Sequence, residues 1–220
     1  MGNRGVEGVK LSAIVGLETT TYCNRDCPWC LNYTLPAKDM SEDVFNASVS
    51  VLQQFKPGII ALSGCGEPLM DPDIVDRVAV VSSIGYLPVL YTNGDMVDEG
   101  VILGELKRAG LHKMFISRHE DEDDVVKLAN SLGTHAESAY SPAVGGRTHN
   151  WAGQLDDINE LKNVCNPLRK GWGYINVDGY ITQCCLDYDA KYPICHVSDG
   201  GITDMMCNEI PLCKDCTGSP

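Results

Sequence analysis

Short apolar runs alternate with amphipathic segments along the chain from Leu11 to Tyr140. The apolar runs predict β-strands, and the segments between them, whose apolar residues recur at helical spacing, predict helices. Five strands are expected, at 11–17, 59–62, 87–91, 114–116 and 136–140. Four helices are expected, beginning at Ser41-Glu42, at Asp71-Pro72 with proline in the first helical position, at Val101 and at Val125. Strands that alternate with helices through short links pair in parallel, so we expect an α/β fold.

Polar and cysteine residues follow the ends of successive predicted strands. Four such segments stand out: 23–30, 63–68, 92–94 and 117–119. The carboxyl ends of parallel strands meet at one edge of a sheet, where ligands bind in both open sheets and barrels. Four or five strand–helix units are fewer than the eight of a full barrel, and the periodicity alone does not decide whether the sheet closes.

The C-terminal part of the chain has a different character. Helical periodicity fades after Ser141, and seven of the 11 cysteines lie beyond that residue. Two strand-like runs, 174–177 and 180–183, flank Asp178-Gly179, which predicts a hairpin. We therefore expect an α/β domain over residues 1–150 and a small cysteine-rich hairpin domain over residues 151–220, with the boundary between Ser141 and Leu161.

The cysteine count indicates metal binding. The N-terminus lacks the apolar core of a secretory signal, and no apolar run is long enough to span a bilayer, so we expect a cytoplasmic protein without a membrane segment. Thiols stay reduced in that compartment, and clustered cysteines there more often hold metal than form disulfides. The net charge of -13 argues against a nucleic-acid partner, because that affinity rests on Lys and Arg.

Three cysteines with the spacing CxxxCxxC follow the first strand: Cys23, Cys27 and Cys30. A structural zinc site takes four protein ligands, and so does a closed iron–sulfur cube. Three ligands leave one iron open to a small molecule, which is typical of a catalytic metal centre. A zinc knuckle is the alternative interpretation of this motif.

Further residues in the same order along the chain carry a family resemblance. Trp29 supplies an aromatic residue before the third cysteine, and Glu18-Thr19-Thr20 precedes the first. The segment 64–69, GCGEPL, resembles a GGEP motif in which Cys65 replaces the first glycine, and 91–94, YTNG, follows the third strand. These motifs together resemble the radical S-adenosylmethionine (SAM) enzymes. The resemblance implies a partial (β/α) barrel, an open parallel sheet of about five or six strands with outer helices.

The same resemblance implies cofactors and their binding residues. Cys23, Cys27 and Cys30 would hold a 4Fe–4S cluster whose open iron binds the amino and carboxylate groups of SAM. Other residues of the motifs would contact SAM: Gly64, Gly66, Glu67 and Pro68 near the methionine amino group, and Asn93 and Ser117 near the ribose and carboxylate. Reductive cleavage of SAM would give a deoxyadenosyl radical that abstracts hydrogen from the substrate, with a flavodoxin- or ferredoxin-type protein as electron donor.

A second set of cysteines resembles the twitch or SPASM extension of the same superfamily. Cys165, Cys184, Cys213 and Cys216 would hold one auxiliary 4Fe–4S cluster, with Cys184 favoured over Cys185 by its place in the hairpin motif. Four thiolates can close a cluster fully, which suits electron transfer. The same four thiols could also hold zinc, and their spacing does not exclude it.

The resemblance extends to the small twitch-bearing alcohol dehydrogenase of butirosin biosynthesis. It implies an oxidoreductase that oxidises a small-molecule alcohol and passes an electron to the auxiliary cluster. His119 and Arg147 are candidates for the base or substrate anchor, and Cys65 is a candidate hydrogen-atom donor. Modification of a ribosomal peptide by oxidation, crosslinking or epimerisation is an alternative, and a non-catalytic electron carrier or zinc module is another.

Overall fold

The structure of the protein, a computed structural model, describes most of the chain. The described residues are 8–28, 30–97, 101–117, 126, 130, 136–139, 163–214, 216 and 218–219. The helix expected from Val125 lies largely outside these residues, and so does the expected domain boundary.

An open sheet of eight strands forms the centre of the fold, in the order β10-β9-β8-β2-β3-β4-β5-β6. The six neighbours from β8 to β6 run parallel. The predicted α/β fold with an open parallel sheet is therefore confirmed. The strands are β1 Val9–Lys10, β2 Ala13–Leu17, β3 Ile59–Ala61, β4 Leu87–Thr92, β5 Lys113–Ser117, β6 Ala136–Ala139, β7 Asn163–Val164, β8 Trp172–Ile175, β9 Tyr180–Thr182, β10 Cys195–His196, β11 Met206–Cys207 and β12 Gly218–Ser219.

The predicted C-terminal hairpin is formed by β8 and β9, and it continues the main sheet. Gly179 adopts φ +85° in the turn, a conformation that suits glycine. β8 pairs in parallel with β2, from Ala13 opposite Trp172 to Leu17 opposite Ile175. The hairpin thus supplies the sixth parallel strand and brings the second cysteine segment to the same edge as the first.

Four helices are described: α1 Glu42–Leu52, α2 Ile74–Ser83, α3 Val101–Arg108 and α4 Asn166–Lys170. The expected cap of α1 is present, because the Ser41 side chain accepts a hydrogen bond from the Val44 N–H. The prediction that Pro72 begins the second helix is wrong. Asp71 Oδ1 accepts a hydrogen bond from the Asp73 N–H at 3.0 Å, which forms a turn and delays the helix to Ile74.

Apolar side chains between the sheet and the helices form one core. The largest fully buried side chains include Ile14, Leu17, Ile60, Leu90 and Met114 from the strands and Leu52, Leu103 and Leu106 from the helices. Burying each such side chain contributes about 1.5–3 kcal/mol relative to leaving it exposed. The core therefore holds the strands, and with them the loops at their carboxyl ends. Among the described residues, no helix is long and apolar enough to cross a membrane.

Candidate active site at the carboxyl edge of the sheet

The loops after β2 and β3 are in direct backbone contact. The Glu67 N–H donates to the Tyr22 carbonyl at 2.8 Å. A Cβ atom at Gly66 would lie 2.8 Å from the carbonyl carbon of Thr20 and 2.9 Å from Cα of Thr21, and closer still to the Thr20 oxygen. Real Cβ atoms do not approach backbone this closely, so the contact requires glycine at position 66.

The loop that carries the three cysteines is held to the segment that follows it. The Thr21 N–H donates to the Lys38 carbonyl at 2.8 Å, and the Asn32 side chain donates to the Thr21 carbonyl at 2.8 Å. The Lys38 ammonium also forms an ion pair with Asp178 in the β8–β9 turn at 2.6 Å. These contacts fix the two ends of the loop against the sheet edge.

The three thiols of this loop lie close enough to influence one another. Burial raises the pKa of both Cys23 and Cys27, and the neighbouring thiol of Cys30 raises each further. A hydrogen bond from the Cys65 thiol instead lowers the pKa of Cys30 to about 7. Cys65 therefore lies against the three-cysteine loop, and its contact favours Cys30 as a thiolate, the form that binds metal.

Glu67 is buried and joins the loops after β3 and β4. Its Oε1 accepts from the Thr92 hydroxyl at 2.7 Å and the Leu69 N–H at 3.1 Å, and its Oε2 accepts from the Asn93 N–H at 2.7 Å. The Asn93 side chain donates in turn to Asn24 beside the first cysteine at 2.7 Å. Burial raises the pKa of Glu67. The carboxylate thus orders the loops around the cysteines.

Glu18 occupies the corresponding position between the loops after β3 and β8. Its Oε1 accepts from the Cys65 N–H at 2.7 Å, and its Oε2 accepts from the Val177 N–H at 3.3 Å. The residue is only 6% exposed, and burial raises the pKa of its carboxyl to about 7. The sequence interpretation gave Glu18 no role, although its position directly after a strand end, the signal used for the other site residues, could have indicated one.

The second cysteine set also comes together. The thiols of Cys184 and Cys216 both raise the pKa of Cys165, after its burial, and the other three thiols likewise raise the pKa of Cys213. Cys184 and Cys185 follow the end of β9 in a turn, so the alternation of side chains along a strand does not separate them. The Cys184 thiol and the Tyr174 hydroxyl both donate to the Cys185 sulfur and lower the pKa of Cys185.

A cavity of about 260 Å³ lies at this edge of the sheet, and its wall includes Cys65, which contacts Cys30, and Cys184 of the second set. Cys65 and Glu18 line it beside the first set, and Cys184 and Cys185 line it beside the second. Aromatic and acidic side chains complete the wall, among them Tyr91, Tyr174, Asp187 and Tyr188. The tyrosines and Asp187 were missed by the sequence interpretation, because their approach depends on the pairing of β8 with β2.

The remaining predicted residues have other locations. Ser117 ends β5, where it pairs with Ala139. His119 and Arg147 lie outside the described residues. Cys195 and Cys207 are buried in the core, at 8% and 1% exposure, as expected for cysteines without a ligand role.

A single metal ion and an iron–sulfur cube require different separations between their cysteine ligands. In the part of the chain that the structure describes, no three His, Cys, Asp or Glu side chains are arranged to hold one metal ion. Tetrahedral zinc with Zn–S distances of about 2.3 Å would place its sulfur ligands about 3.8 Å apart. An iron–sulfur cube binds each thiolate to a different iron and therefore takes more widely separated ligands.

Comparison with known proteins found a matching family and a similar enzyme. The family model of the radical SAM superfamily matches residues 17–166. The SAM-dependent 2-deoxy-scyllo-inosamine dehydrogenase of Niallia circulans is 23% identical over 226 residues, which cover 91% of this chain and 84% of the relative.

Solved structures with the same fold include two that differ in what they bind. BtrN in complex with AdoMet and 2-DOIA superimposes with a TM-score of 0.74 at 22% identity, over 89% of this chain and 82% of that chain. Streptococcus suis SuiB bound to the precursor peptide SuiA superimposes with a TM-score of 0.60 at 12% identity, over 96% of this chain and 70% of that chain.

Proposed function

The chain belongs to the radical SAM superfamily, and we propose that this enzyme oxidises a small-molecule alcohol at its carbinol carbon. The observation that carries the proposal is the cavity of about 260 Å³ whose wall includes both Cys65, in contact with the first cysteine loop, and Cys184 of the second set. A substrate in this cavity would lie between the SAM site on one side and an electron acceptor on the other. Such an arrangement suits a reaction that removes a hydrogen atom, a proton and an electron from one molecule.

The residues of the first loop fit a 4Fe–4S cluster with an open iron. Cys23, Cys27 and Cys30 are the three thiols of the loop, and Cys30 is favoured as a thiolate by its contact with Cys65. SAM would bind beside them, against the backbone of Gly64 to Pro68 and near Asn93 and Ser117. When bound, the cluster and SAM supply a deoxyadenosyl radical that abstracts a hydrogen atom from the substrate.

The protein's own contribution at this site is positioning. Gly66 lets the loop after β3 lie directly on the cysteine loop, and Glu67 fixes the loop after β4 relative to both. The walls of the cavity are formed largely by residues of the sheet edge, which would hold the substrate beside the SAM site. His119 and Arg147 remain candidates for binding the substrate.

The second cysteine set is proposed to hold an auxiliary 4Fe–4S cluster that accepts the electron. Mutual effects on thiol pKa values support the grouping of Cys165, Cys184, Cys213 and Cys216. Cys184 is the proposed ligand rather than Cys185, because the Cys184 thiol raises the pKa of both Cys165 and Cys213, whereas the Cys185 sulfur accepts hydrogen bonds from Cys184 and Tyr174.

The size and lining of the cavity support a small polar substrate. Sites for drug-sized ligands typically span about 300–1,000 Å³, so this cavity lies just below the lower end of that range. Tyrosine and carboxyl groups can bind hydroxyl and amino groups of a cyclitol, the class of compound named for the N. circulans relative. A cytoplasmic location and a flavodoxin- or ferredoxin-type electron donor are further parts of the proposal.

Anaerobic reconstitution with iron and sulfide, followed by reduction in the presence of SAM, tests the function. We expect deoxyadenosine from the intact protein and a ketone from an aminocyclitol, with 2-deoxy-scyllo-inosamine as the first compound assayed. The triple variant Cys23→Ala, Cys27→Ala, Cys30→Ala is the control and should give neither. Deoxyadenosine formation only with a ribosomal precursor peptide would instead favour peptide modification.

A further inference from the structure

Glu18 is a buried carboxyl group that acts on Cys30 of the first cysteine loop and also lines the cavity. It follows β2 directly, and its carboxylate lies between the Cys65 N–H and the Val177 N–H. The residue is 6% exposed, yet it belongs to the cavity wall. It is therefore both largely shielded from solvent and in contact with the space proposed for the substrate.

The two backbone contacts leave the carboxylate able to accept a proton. Each carboxylate oxygen has two lone-pair directions, and the N–H groups occupy one on each oxygen. Gly64 keeps the approach open, because a Cβ atom there would lie 2.5 Å from Cδ of Glu18. A substrate hydroxyl in the cavity can thus reach the carboxylate in the hydrogen-bonded geometry that proton transfer needs.

The surroundings of Glu18 hold its pKa close to neutrality. The pKa of Glu18 is about 7, and burial is the main cause of its rise. The charge of Asp178 raises this pKa further, whereas the two backbone hydrogen bonds and the Lys38 ammonium oppose the rise. The other titratable groups among the described residues that line the cavity or lie beside it are Cys30, Cys65, Tyr91, Tyr174, Cys184, Cys185, Asp187 and Tyr188. A general base is most effective when its pKa is near the working pH.

Building on the proposed alcohol oxidation, we propose that Glu18 is the general base that removes the hydroxyl proton of the substrate. The carbinol C–H bond breaks first, and its hydrogen leaves as an atom to the deoxyadenosyl radical. The O–H bond then breaks, and its proton passes to a carboxylate oxygen of Glu18. The one electron that remains goes to an acceptor of the iron–sulfur class, and the C=O bond forms.

Asp187 is the other carboxyl group of the cavity wall and provides a matched control. Its two oxygens accept from the Lys191 and Tyr192 N–H groups at 3.0 Å each, within its own turn. Burial raises the pKa of Asp187 as it does that of Glu18. It differs from Glu18 in lying on the turn after β9 rather than beside the loops that surround the first cysteine set. Glu18→Gln and Asp187→Asn therefore remove similar charges from opposite sides of one cavity.

The experiment uses the anaerobically reconstituted enzyme, reduced with SAM and ring-deuterated 2-deoxy-scyllo-inosamine or another cyclitol that supports turnover. In Glu18→Gln we expect deuterium still to enter deoxyadenosine, while ketone per deoxyadenosine falls about 100-fold or more. In the wild type this ratio should rise with pH through about 7, and Glu18→Gln should lose that dependence. Because Asp187 also lines the cavity, Asp187→Asn should weaken substrate binding and lower both products together, but it should keep their ratio and its pH dependence.

A measurement without turnover accompanies the assay. The infrared difference between wild type and Glu18→Gln should contain a protonated carboxyl band that titrates near pH 7 in the protein without substrate. If Glu18→Gln does not retain its iron, Glu18→Asp, which keeps the carboxylate but shortens its reach, should show the same fall in ketone per deoxyadenosine to a smaller extent.

The outcomes separate this inference from the function on which it rests. If no cyclitol transfers deuterium to deoxyadenosine in the wild type, alcohol oxidation is wrong and the role of Glu18 falls with it. If the wild type forms ketone and Glu18→Gln forms it in the same ratio to deoxyadenosine, only the assignment of Glu18 is overturned. An equal fall in ketone per deoxyadenosine in Asp187→Asn would also overturn it, because cavity charge in general would then be responsible.

Discussion

Replacing Gly66 with alanine tests whether the close contact of the two cofactor loops is a fixed constraint. The new Cβ atom would lie 2.8–2.9 Å from backbone atoms of Thr20 and Thr21. Those atoms cannot move freely, because the Thr21 N–H is bonded to Lys38 and the Thr19 carbonyl accepts from the buried Arg77. The loop after β3 must therefore shift instead, and the 2.8 Å bond from the Glu67 N–H to Tyr22 is lost.

The expected cost follows from the nature of this overlap. Overpacking a fixed site costs about 1–3 kcal/mol. For a chain of this size each kcal/mol shifts Tm by about 2–4 °C, so Gly66→Ala should lower Tm by about 2–12 °C. Because the loop that moves carries the proposed SAM contacts, SAM binding should weaken along with stability.

Gly104→Ala is the matched control with the opposite expected sign. Gly104 lies inside α3, and a Cβ atom there would meet nothing within 4 Å. Alanine is favoured over glycine in a helix interior by about 0.5–1 kcal/mol, so Tm should rise by about 1–4 °C. SAM binding and iron content should be unchanged.

Differential scanning calorimetry of both reconstituted variants, with SAM affinity from equilibrium dialysis and iron from colorimetric assay, gives the comparison. A Gly66→Ala protein with wild-type Tm and wild-type SAM affinity would refute the reasoning. It would mean that the backbone of the cysteine loop moves at no cost, so that the contact between the loops is incidental.

Three further predictions concern stability and metal content. In urea titrations, Glu18→Gln should gain about 2 kcal/mol of stability relative to wild type as pH rises from about 5.5 to 8. The reason is that the pKa of the Glu18 carboxyl is raised from 4.5 to about 7, so ionisation of Glu18 over this range destabilises the folded wild type. A stability difference that does not change with pH would contradict the buried charge. Cys184→Ala should reduce the iron content of the reconstituted protein from two clusters to one. Cys195, which is buried in the core, is the control, and Cys195→Ala should retain both clusters. Equal iron content in the two variants would contradict the proposed ligand set. Arg77→Ala should lower the free energy of unfolding by about 3–5 kcal/mol in chemical denaturation. In the wild type Asp71 lies 3.4 Å from the Arg77 guanidinium, and the variant leaves it as an unpaired buried charge. A loss below about 1 kcal/mol would show that the pair is dispensable.

The strands could be predicted from the sequence because each one leaves a local pattern. Apolar runs such as 87–91 carry the period and the flanking turns of a buried strand, and β4 extends it by one residue at the carboxyl end. The convergence of the cysteine, GEP and TNG segments followed from the same strand ends. Local pattern was therefore sufficient for the parallel sheet and for the side of it that carries the site.

Other features depend on contacts between distant residues and leave no local pattern. The hairpin 174–183 was predictable, but its parallel pairing with β2 was not, and neither was the cavity that this pairing closes. The burial of Glu18 likewise arises from the Cys65 and Val177 backbone, both far from it in sequence. The start of α2 was misjudged because the Asp71 side chain competes locally with the helix.

The pairing of β2 with β8 also has a consequence for how the chain folds. β2 is made early and β8 late, so during synthesis one side of β2 stays an open edge while the chain between them emerges. Open edges are prone to intermolecular pairing, and contacts of high sequence separation slow folding. We expect the nascent chain to be most prone to aggregation in this interval, and the last parallel strand to protect the first from neighbouring molecules.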